Sequence, residues 1–156
     1  MKNLPKIMIV EDNKFYSNLL EKELLKDKIG SVEAYYTGED FMNNLFKMPD
    51  IVLLDHHLGS MKGIDVLKQI KSINPNIQVI FLSAQEKLHV AISALKYGAY
   101  DYVEKNDSAL IRVKALIKRI SKHNNLIREQ KHFKAAKIAF TALVASFFLL
   151  AIYLQF

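Results

Sequence analysis

The segment IVLLDHHLGS, residues 51–60, begins with four apolar residues and leads directly into an aspartate and two histidines. A short continuous apolar run bounded by polar residues and glycine is typical of a strand buried on both faces. Because an unpaired buried carboxylate is costly, Asp55 at the end of this strand indicates a site that needs its charge. The partners of Asp55 should then lie at the ends of the neighbouring strands.

The rest of the first 108 residues has the pattern of an α/β fold. Five apolar runs are predicted to be strands, and each is followed by a segment with helical spacing. Five strands that alternate with five helices predict a doubly wound parallel sheet, whose functional site lies at the carboxyl ends of the strands. The predicted strands are Lys6–Val10, Val32–Tyr36, Ile51–Leu54, Gln78–Leu82 and Asp101–Val103.

Charge divides the 156-residue chain into three blocks. Residues 1–108 hold 13 Lys and Arg against 15 Asp and Glu, residues 109–137 hold nine against one, and residues 138–156 hold none. The absence of cysteine excludes disulfides and thiolate metal sites. The three blocks indicate three physical environments, so we predict a folded domain over 1–122, a basic linker or helix extension over 123–137, and an apolar segment over 138–156.

The apolar segment IAFTALVASFFLLAIYLQF, residues 138–156, has 19 residues without charge, proline or glycine. As a helix it would span roughly 28 Å, close to the hydrocarbon thickness of a bilayer. With the basic residues 131–137 beside it, it predicts a single-pass tail anchor that leaves the folded domain on the cytoplasmic face of the membrane. The alternative is a hydrophobic helix buried against a partner or against the domain itself.

The basic block has two interpretations. It could bind anionic lipid beside the predicted anchor, or it could contact nucleic acid. Its position favours lipid, and no direct DNA binding is expected because the chain has no room for a separate DNA-reading domain. A helix that begins near Ser108 could run without a break to the end of the chain, with Asn124–Asn125 as the one candidate break.

Chemically active side chains follow the predicted strands. Glu11 and Asp12 come directly after the first strand, Asp55 after the third, Ser83 after the fourth and Lys105 after the fifth. Three carboxylates at one edge repel one another unless a cation lies among them, and hard oxygen ligands suit Mg²⁺. The lysine would hold a phosphoryl oxygen, the serine would donate to another, and Asp55 would be the nucleophile that becomes an aspartyl phosphate.

Four motifs together resemble the receiver domain of response regulators in two-component signalling. They are VEDN (10–13), LLDHHLGSMKG (53–63), LSA (82–84) and KYGAYDYVEK (96–105), within a resemblance that covers about residues 5–122. The resemblance implies a flavodoxin-like five-stranded parallel sheet of order 2-1-3-4-5 with five helices. It also implies that a histidine kinase or a phosphotransfer protein donates phosphate to Asp55.

The resemblance adds roles for individual residues. The backbone carbonyl of His57 is implied as a further metal ligand, and Tyr102 matches the aromatic residue that turns inward on activation. His57 and Gln85 occupy positions that are thought to tune the lifetime of the phosphate. Gly59 and Asn106 depart from the family pattern, because proline usually stands at each position. These departures leave the loop after Asp55 and the geometry around Lys105 less constrained.

The functional expectation is a phosphoacceptor whose only chemistry is its own phosphorylation and dephosphorylation, so we do not expect an enzyme that turns over a separate substrate. The alternative is a receiver-like scaffold that binds partners without phosphorylation, and a homodimer is possible in either case. Asp55, His56 and His57 also match a signature of metal-dependent phosphoesterases. His89, His123 and His132 are expected to lie away from the sheet edge, so we treat that match as coincidence.

Overall fold

A computed structural model describes residues 4–84 and 88–153, with side chains described as far as Ser146. The strands are β1 (Lys6–Val10), β2 (Ser31–Tyr35), β3 (Ile51–Asp55), β4 (His57–Leu58), β5 (Met61–Lys62), β6 (Gln78–Ser83) and β7 (Asp101–Glu104). The helices are α1 (Lys14–Lys26), α2 (Gly38–Asn44), α3 (Gly63–Ile73), α4 (Leu88–Lys96) and α5 (Ala109–Tyr153), with a 3-10 turn at Leu45–Lys47.

Five of these strands form one parallel sheet in the order β2-β1-β3-β6-β7. Because β4 and β5 are short and pair only with each other, this is the predicted order 2-1-3-4-5. The α/β prediction and the flavodoxin-like topology are therefore confirmed. The central position of β3 explains why its residues are apolar. A strand with a neighbour on each side and helices over both faces has no side chains exposed to solvent.

The core lies in two layers, one on each face of the sheet. Along β3, Val52 and Leu54 belong to one layer, while Ile51 and Leu53 belong to the other. This alternation follows from the two-residue period of a strand. The first layer packs against α2, α3 and α4, and the second packs against α1 and the beginning of α5, where Val113 and Ile117 are fully buried.

The segment after Asp55 is more ordered than the sequence predicts. β4 and β5 pair in an antiparallel hairpin, with His57 opposite Lys62 and Leu58 opposite Met61. Gly59 has φ +64° at the first position of the two-residue turn, a conformation that glycine adopts without a steric penalty. Glycine in place of the expected proline thus gives a tight hairpin rather than a loosened loop.

The chain divides into two units, Met1–Ser121 and Lys122–Phe156. The helical assignment of α5 passes through Asn124 and Asn125, so the break considered there does not occur. The unit boundary lies close to the predicted boundary at 122.

The prediction of a transmembrane anchor over 138–156 is wrong. None of the helices in the described residues is long and apolar enough to cross a bilayer. The single-pass location at the cytoplasmic membrane depended on this anchor and is corrected with it. Residues 154–156 of the predicted anchor lie outside the described residues.

Candidate functional site

Three carboxylates meet at the carboxyl edge of the sheet. Glu11 and Asp12 follow β1 directly, and Asp55 is the last residue of the adjacent strand β3. One carboxylate oxygen from each lies within 4.8 Å of the others. Glu11 is fully buried and Asp55 is 5% exposed, whereas Asp12 faces solvent. Oxygen ligands at these separations, with one open side for water, fit a hard divalent cation such as Mg²⁺.

Lys105 connects two of these carboxylates. Its Nζ lies 2.7 Å from Oε2 of Glu11 and 2.8 Å from Oδ1 of Asp55. The backbone N–H of Lys105 donates to the carbonyl of Ser83 at 2.8 Å, which fixes the start of this side chain beside β6. The side chain of Lys105 is only 13% exposed, so the ion pairs are poorly screened by solvent. The predicted convergence of Glu11, Asp55 and Lys105 is present in the structure.

The electrostatics of the site are set by burial. Burial raises the pKa of Glu11, and the negative charge of Asp55 adds to this effect. The hydrogen bond with Lys105 and the Asn13 N–H, which donates to Oε1 of Glu11 at 3.3 Å, oppose the increase. Because these effects together raise the pKa of Glu11, ionisation of this buried side chain is unfavourable, and a bound cation would reduce that penalty.

Backbone hydrogen bonds hold the phosphoacceptor candidate in place. The N–H of His56 donates to Oδ1 of Asp55 at 2.7 Å, and the N–H of Gly63 donates to the carbonyl of His56 at 2.8 Å. A Cβ atom on Gly63 would lie 1.9 Å from the backbone oxygen of Asp55. The turn that presents Asp55 therefore requires glycine at this position because of a close backbone approach.

The remaining predicted residues lie around this centre. Ser83 ends β6 and is fully buried, while Tyr102 in β7 is partly buried against the core layer that contains Phe81. His57 lies in β4 with an exposed side chain, two residues after Asp55. Gln85 lies outside the described residues. The structure places Ser83 at the carboxyl end of β6, next to β3, and the chemical roles given to Ser83, Tyr102 and His57 remain predictions.

Asn106, the second departure from the family pattern, lies in the turn that leads into helix α5. Its Oδ1 accepts from the N–H of Ser108 at 3.0 Å and from the Ser108 hydroxyl at 2.8 Å. Its own carbonyl accepts from the N–H of Ala109 at 2.9 Å. An asparagine turn of this kind initiates a helix by a route other than proline. Lys105 is thus held without the proline that normally follows it.

One residue of the site was missed from the sequence. Tyr16 lies in the first turn of α1, and its ring centroid is 4.9 Å from Nζ of Lys105. Its hydroxyl is buried and has no hydrogen-bond partner among the described residues. Burial, followed by the charges of Glu11 and Asp55, raises the pKa of Tyr16 to about 12. The only feature of the sequence that points to Tyr16 is its position shortly after Glu11 and Asp12. An aromatic residue at that position is equally consistent with a role in the hydrophobic core.

The histidines that suggested a phosphoesterase do not form a second metal centre in the described part of the chain. His56, His57 and His89 line a cavity of about 430 Å³ between the β4–β5 hairpin and α4. His89 is therefore nearer to the other two than the sequence indicated. Among the described residues, the acidic and histidine side chains whose ligand atoms come close enough to hold a metal are Glu11, Asp12 and Asp55.

Comparison with known proteins agrees with this geometry. Residues 7–120 match the family model described as the response regulator receiver domain. The chain belongs to this family. As a receiver domain it is a module of two-component signal transduction, a class of domain that interacts with histidine kinases or phosphotransfer proteins.

Two curated relatives and two solved structures illustrate the similarity. The regulatory protein LuxO of Vibrio vulnificus (strain YJ016) is 31% identical over 121 residues, which is 75% of this chain and 26% of LuxO. The transcriptional regulatory protein ZraR of Salmonella typhimurium is 35% identical over 100 residues, which is 64% of this chain and 22% of ZraR. The chain thus spans about a quarter of the length of the curated relatives it matches.

Among solved structures, the signal receiver domain of a putative LuxO repressor protein from Vibrio parahaemolyticus superposes with a TM-score of 0.70 at 28% identity, over 80% of this chain and 97% of that one. DrrB, an OmpR/PhoB homologue from Thermotoga maritima, gives the same TM-score and identity over 78% of this chain and 54% of its own. These similarities support the receiver fold throughout the sheet.

Proposed function

We propose that this protein is a phosphoacceptor that receives a phosphoryl group on Asp55 from a histidine kinase or a phosphotransfer protein. The observation that carries the proposal is the position of Lys105. Its ammonium group bridges Glu11 and Asp55 at 2.7 and 2.8 Å, at the sheet edge where Asp12 also lies. A buried ion-paired cation beside a nucleophile can bind the charge that a phosphoryl group brings.

The transfer takes place between the donor and the site residues, with Mg²⁺ bound at the carboxylates. A carboxylate oxygen of Asp55 attacks phosphorus, a P–O bond forms, and the P–N bond of a phosphohistidine breaks. The electron pair of that bond returns to the imidazole nitrogen of the donor, so no further reactant is required. Dephosphorylation is attack by water on phosphorus, which releases inorganic phosphate and restores the Asp55 carboxylate. The chain then has no enzymatic activity on a separate substrate.

Glu11, Asp12 and Asp55, with the backbone carbonyl of His57, are the residues that would hold Mg²⁺. The cation supplies charge neutralisation, which lets a dianionic phosphoryl group approach a carboxylate cluster. Two observations support this assignment: the three carboxylates lie within 4.8 Å of one another, and burial raises the pKa of Glu11. Ser83 then donates its hydroxyl to a phosphoryl oxygen, and Lys105 pairs with another.

The signal leaves the site through the face formed by α4, β7 and the beginning of α5. Ser83 lies opposite Glu104 in the register of β6 and β7, and the N–H of Lys105 donates to the carbonyl of Ser83. A movement of Ser83 toward the phosphoryl group would shift β7, which pairs with β6 and carries the partly buried Tyr102. A partner protein reads the altered surface, and direct DNA binding by this chain is not part of the proposal.

The test uses the full chain with Mg²⁺ and acetyl phosphate, followed by intact mass measurement. Wild type should gain one phosphoryl group, and Asp55→Asn should gain none. Asp65→Asn is the matched control, because Asp65 is an exposed carboxylate on α3 and should leave phosphorylation unchanged. Addition of EDTA should stop the reaction in wild type.

Beryllofluoride provides a second measurement, since one similar structure is described as a beryllofluoride-activated receiver domain of DrrB, 28% identical with a TM-score of 0.70. Amide NMR shifts near Ser83, Tyr102 and Lys105 are expected in wild type and not in Asp55→Asn. If wild type shows neither an adduct nor these shifts, the phosphorylation-independent scaffold is the better proposal.

A further inference from the structure

Tyr16 lies against Lys105, the cation that pairs with Glu11 and Asp55, although neither the sequence motifs nor the proposed reaction uses it. The N–H groups of an ammonium point in three directions. For Lys105, two nearby acceptors are known, Oε2 of Glu11 and Oδ1 of Asp55. The ring centroid of Tyr16 lies 4.9 Å from the same nitrogen. This distance is within the range in which an aromatic face attracts a cation.

The position of the Tyr16 ring is fixed from both sides. Its backbone N–H donates to Oδ1 of Asn13 at 3.1 Å, which caps α1 and sets the first helical turn. Its side chain is partly buried and packs against the core layer that contains Ile9 and Leu53. A ring held in this way does not follow Lys105 if the lysine moves. The Tyr16 ring therefore restricts the positions that the Lys105 ammonium group can occupy.

We propose that Tyr16 is a positioning residue for Lys105, whose ring holds the ammonium group between Glu11 and Asp55 so that it meets the phosphoryl group from a fixed direction. This inference rests on the proposed phosphorylation of Asp55. The ring is the active part, and the phenolic hydroxyl is not required. A lysine side chain has four rotatable bonds, and each conformation that points away from Asp55 reduces the fraction of molecules ready to react.

The test compares Tyr16→Phe, which keeps the ring, with Tyr16→Met, which fills similar space without one. The rate of phosphorylation by acetyl phosphate with Mg²⁺ is measured on the full chain by intact mass. Tyr16→Phe should react at the wild-type rate, and Tyr16→Met should react about 5- to 30-fold more slowly, the factor that a desolvated cation–π contact provides. Phe15→Leu is the matched control, because Phe15 is the neighbouring aromatic residue of α1 and is 80% exposed.

A double-mutant cycle separates positioning from general stability. In a Lys105→Ala background, Tyr16→Met should change the rate by less than about twofold, because the group that it positions is gone. Equal losses in both backgrounds would overturn the proposal, as would a loss in Tyr16→Phe as large as that in Tyr16→Met. Thermal unfolding of each variant confirms that the compared proteins are folded.

An NMR measurement keeps the proposal testable even if Tyr16→Met does not fold. The ε-methylene protons of Lys105 should show a ring-current shift in wild type that Tyr16→Phe retains. Absence of this shift in wild type would refute the contact itself. Wild type that gains no phosphoryl group would instead refute the proposed function, and wild type that is phosphorylated at the same rate as folded Tyr16→Met would refute only the role of Tyr16.

Discussion

Substitution of Gly63 by alanine tests whether a close backbone approach positions Asp55. The added Cβ would lie 1.9 Å from the backbone oxygen of Asp55, and separations below 3.0 Å are essentially never seen for real Cβ atoms. Neither atom belongs to a flexible side chain, so the beginning of α3 or the end of β3 must move by about 1 Å. The hydrogen bond from Gly63 to the carbonyl of His56, now 2.8 Å long, lies between them and would be strained.

The expected loss of stability follows from these contacts. Overpacking costs about 1–3 kcal/mol, and a weakened hydrogen bond costs about 1 kcal/mol. Alanine also reduces the entropy of the unfolded chain, which returns about 0.4–1 kcal/mol. The free energy of unfolding should therefore fall by about 2–3 kcal/mol. With a urea m-value of about 2 kcal/mol per molar, the unfolding midpoint should fall by roughly 1–1.5 M.

The assay is urea unfolding followed by circular dichroism, with acetyl phosphate labelling of the folded variant. Gly59→Ala is the control, because a Cβ there meets no atom within 4 Å and the cost comes only from φ +64°. That variant should lose about 1 kcal/mol and keep wild-type labelling. If Gly63→Ala unfolds at the wild-type midpoint and is labelled at the wild-type rate, the close approach does not position Asp55.

Four further predictions concern the site and its support. Tyr16→Phe removes a buried hydroxyl that has no partner among the described residues, so urea unfolding should show equal stability or a gain of up to about 1 kcal/mol; a clear loss would mean that the hydroxyl is bonded. The pKa of Glu11 is raised in the folded state, so ionisation of Glu11 destabilises the metal-free protein as the pH rises above about 4.5. The stability of Glu11→Gln relative to wild type should therefore increase between pH 4.5 and 7. Mg²⁺ should raise the melting temperature of wild type at pH 7 and have little effect on Glu11→Gln; equal stabilisation of both would exclude Glu11 as a ligand. Asn106→Ala should lose about 1 kcal/mol through the start of α5, whereas Asn124→Ala, inside the helix, should lose nothing in the same urea titration.

The sequence by itself determined the sheet and the position of the phosphoacceptor candidate. The apolar run before Asp55 is typical of a strand buried on both faces, and the alternation of such runs with helical segments predicts a parallel sheet. In such a sheet the carboxyl ends of adjacent strands meet, so Glu11, Asp12 and Asp55 had to converge. The sheet and the convergence of the three carboxylates depend on local periodicity and on the order of the strands, and both can be inferred from the amino-acid sequence.

Hydropathy was not sufficient to predict the structure of residues 138–156. An apolar run predicts burial without stating in what, and the anchor prediction required the whole of 138–156 to act as one spanning helix. None of the helices in the described part of the chain meets that requirement.

Tertiary structure alone decided the contacts between residues that are distant along the chain. The ring of Tyr16 lies beside Lys105 because β1 and β7 place their following segments at the same edge of the sheet. Gly63 is required because α3 begins against the backbone of Asp55, a separation that no residue pattern encodes. Sequence periodicity fixes which face a side chain takes, but distances of 2–5 Å between elements depend on how those elements pack together, and only the folded chain specifies that.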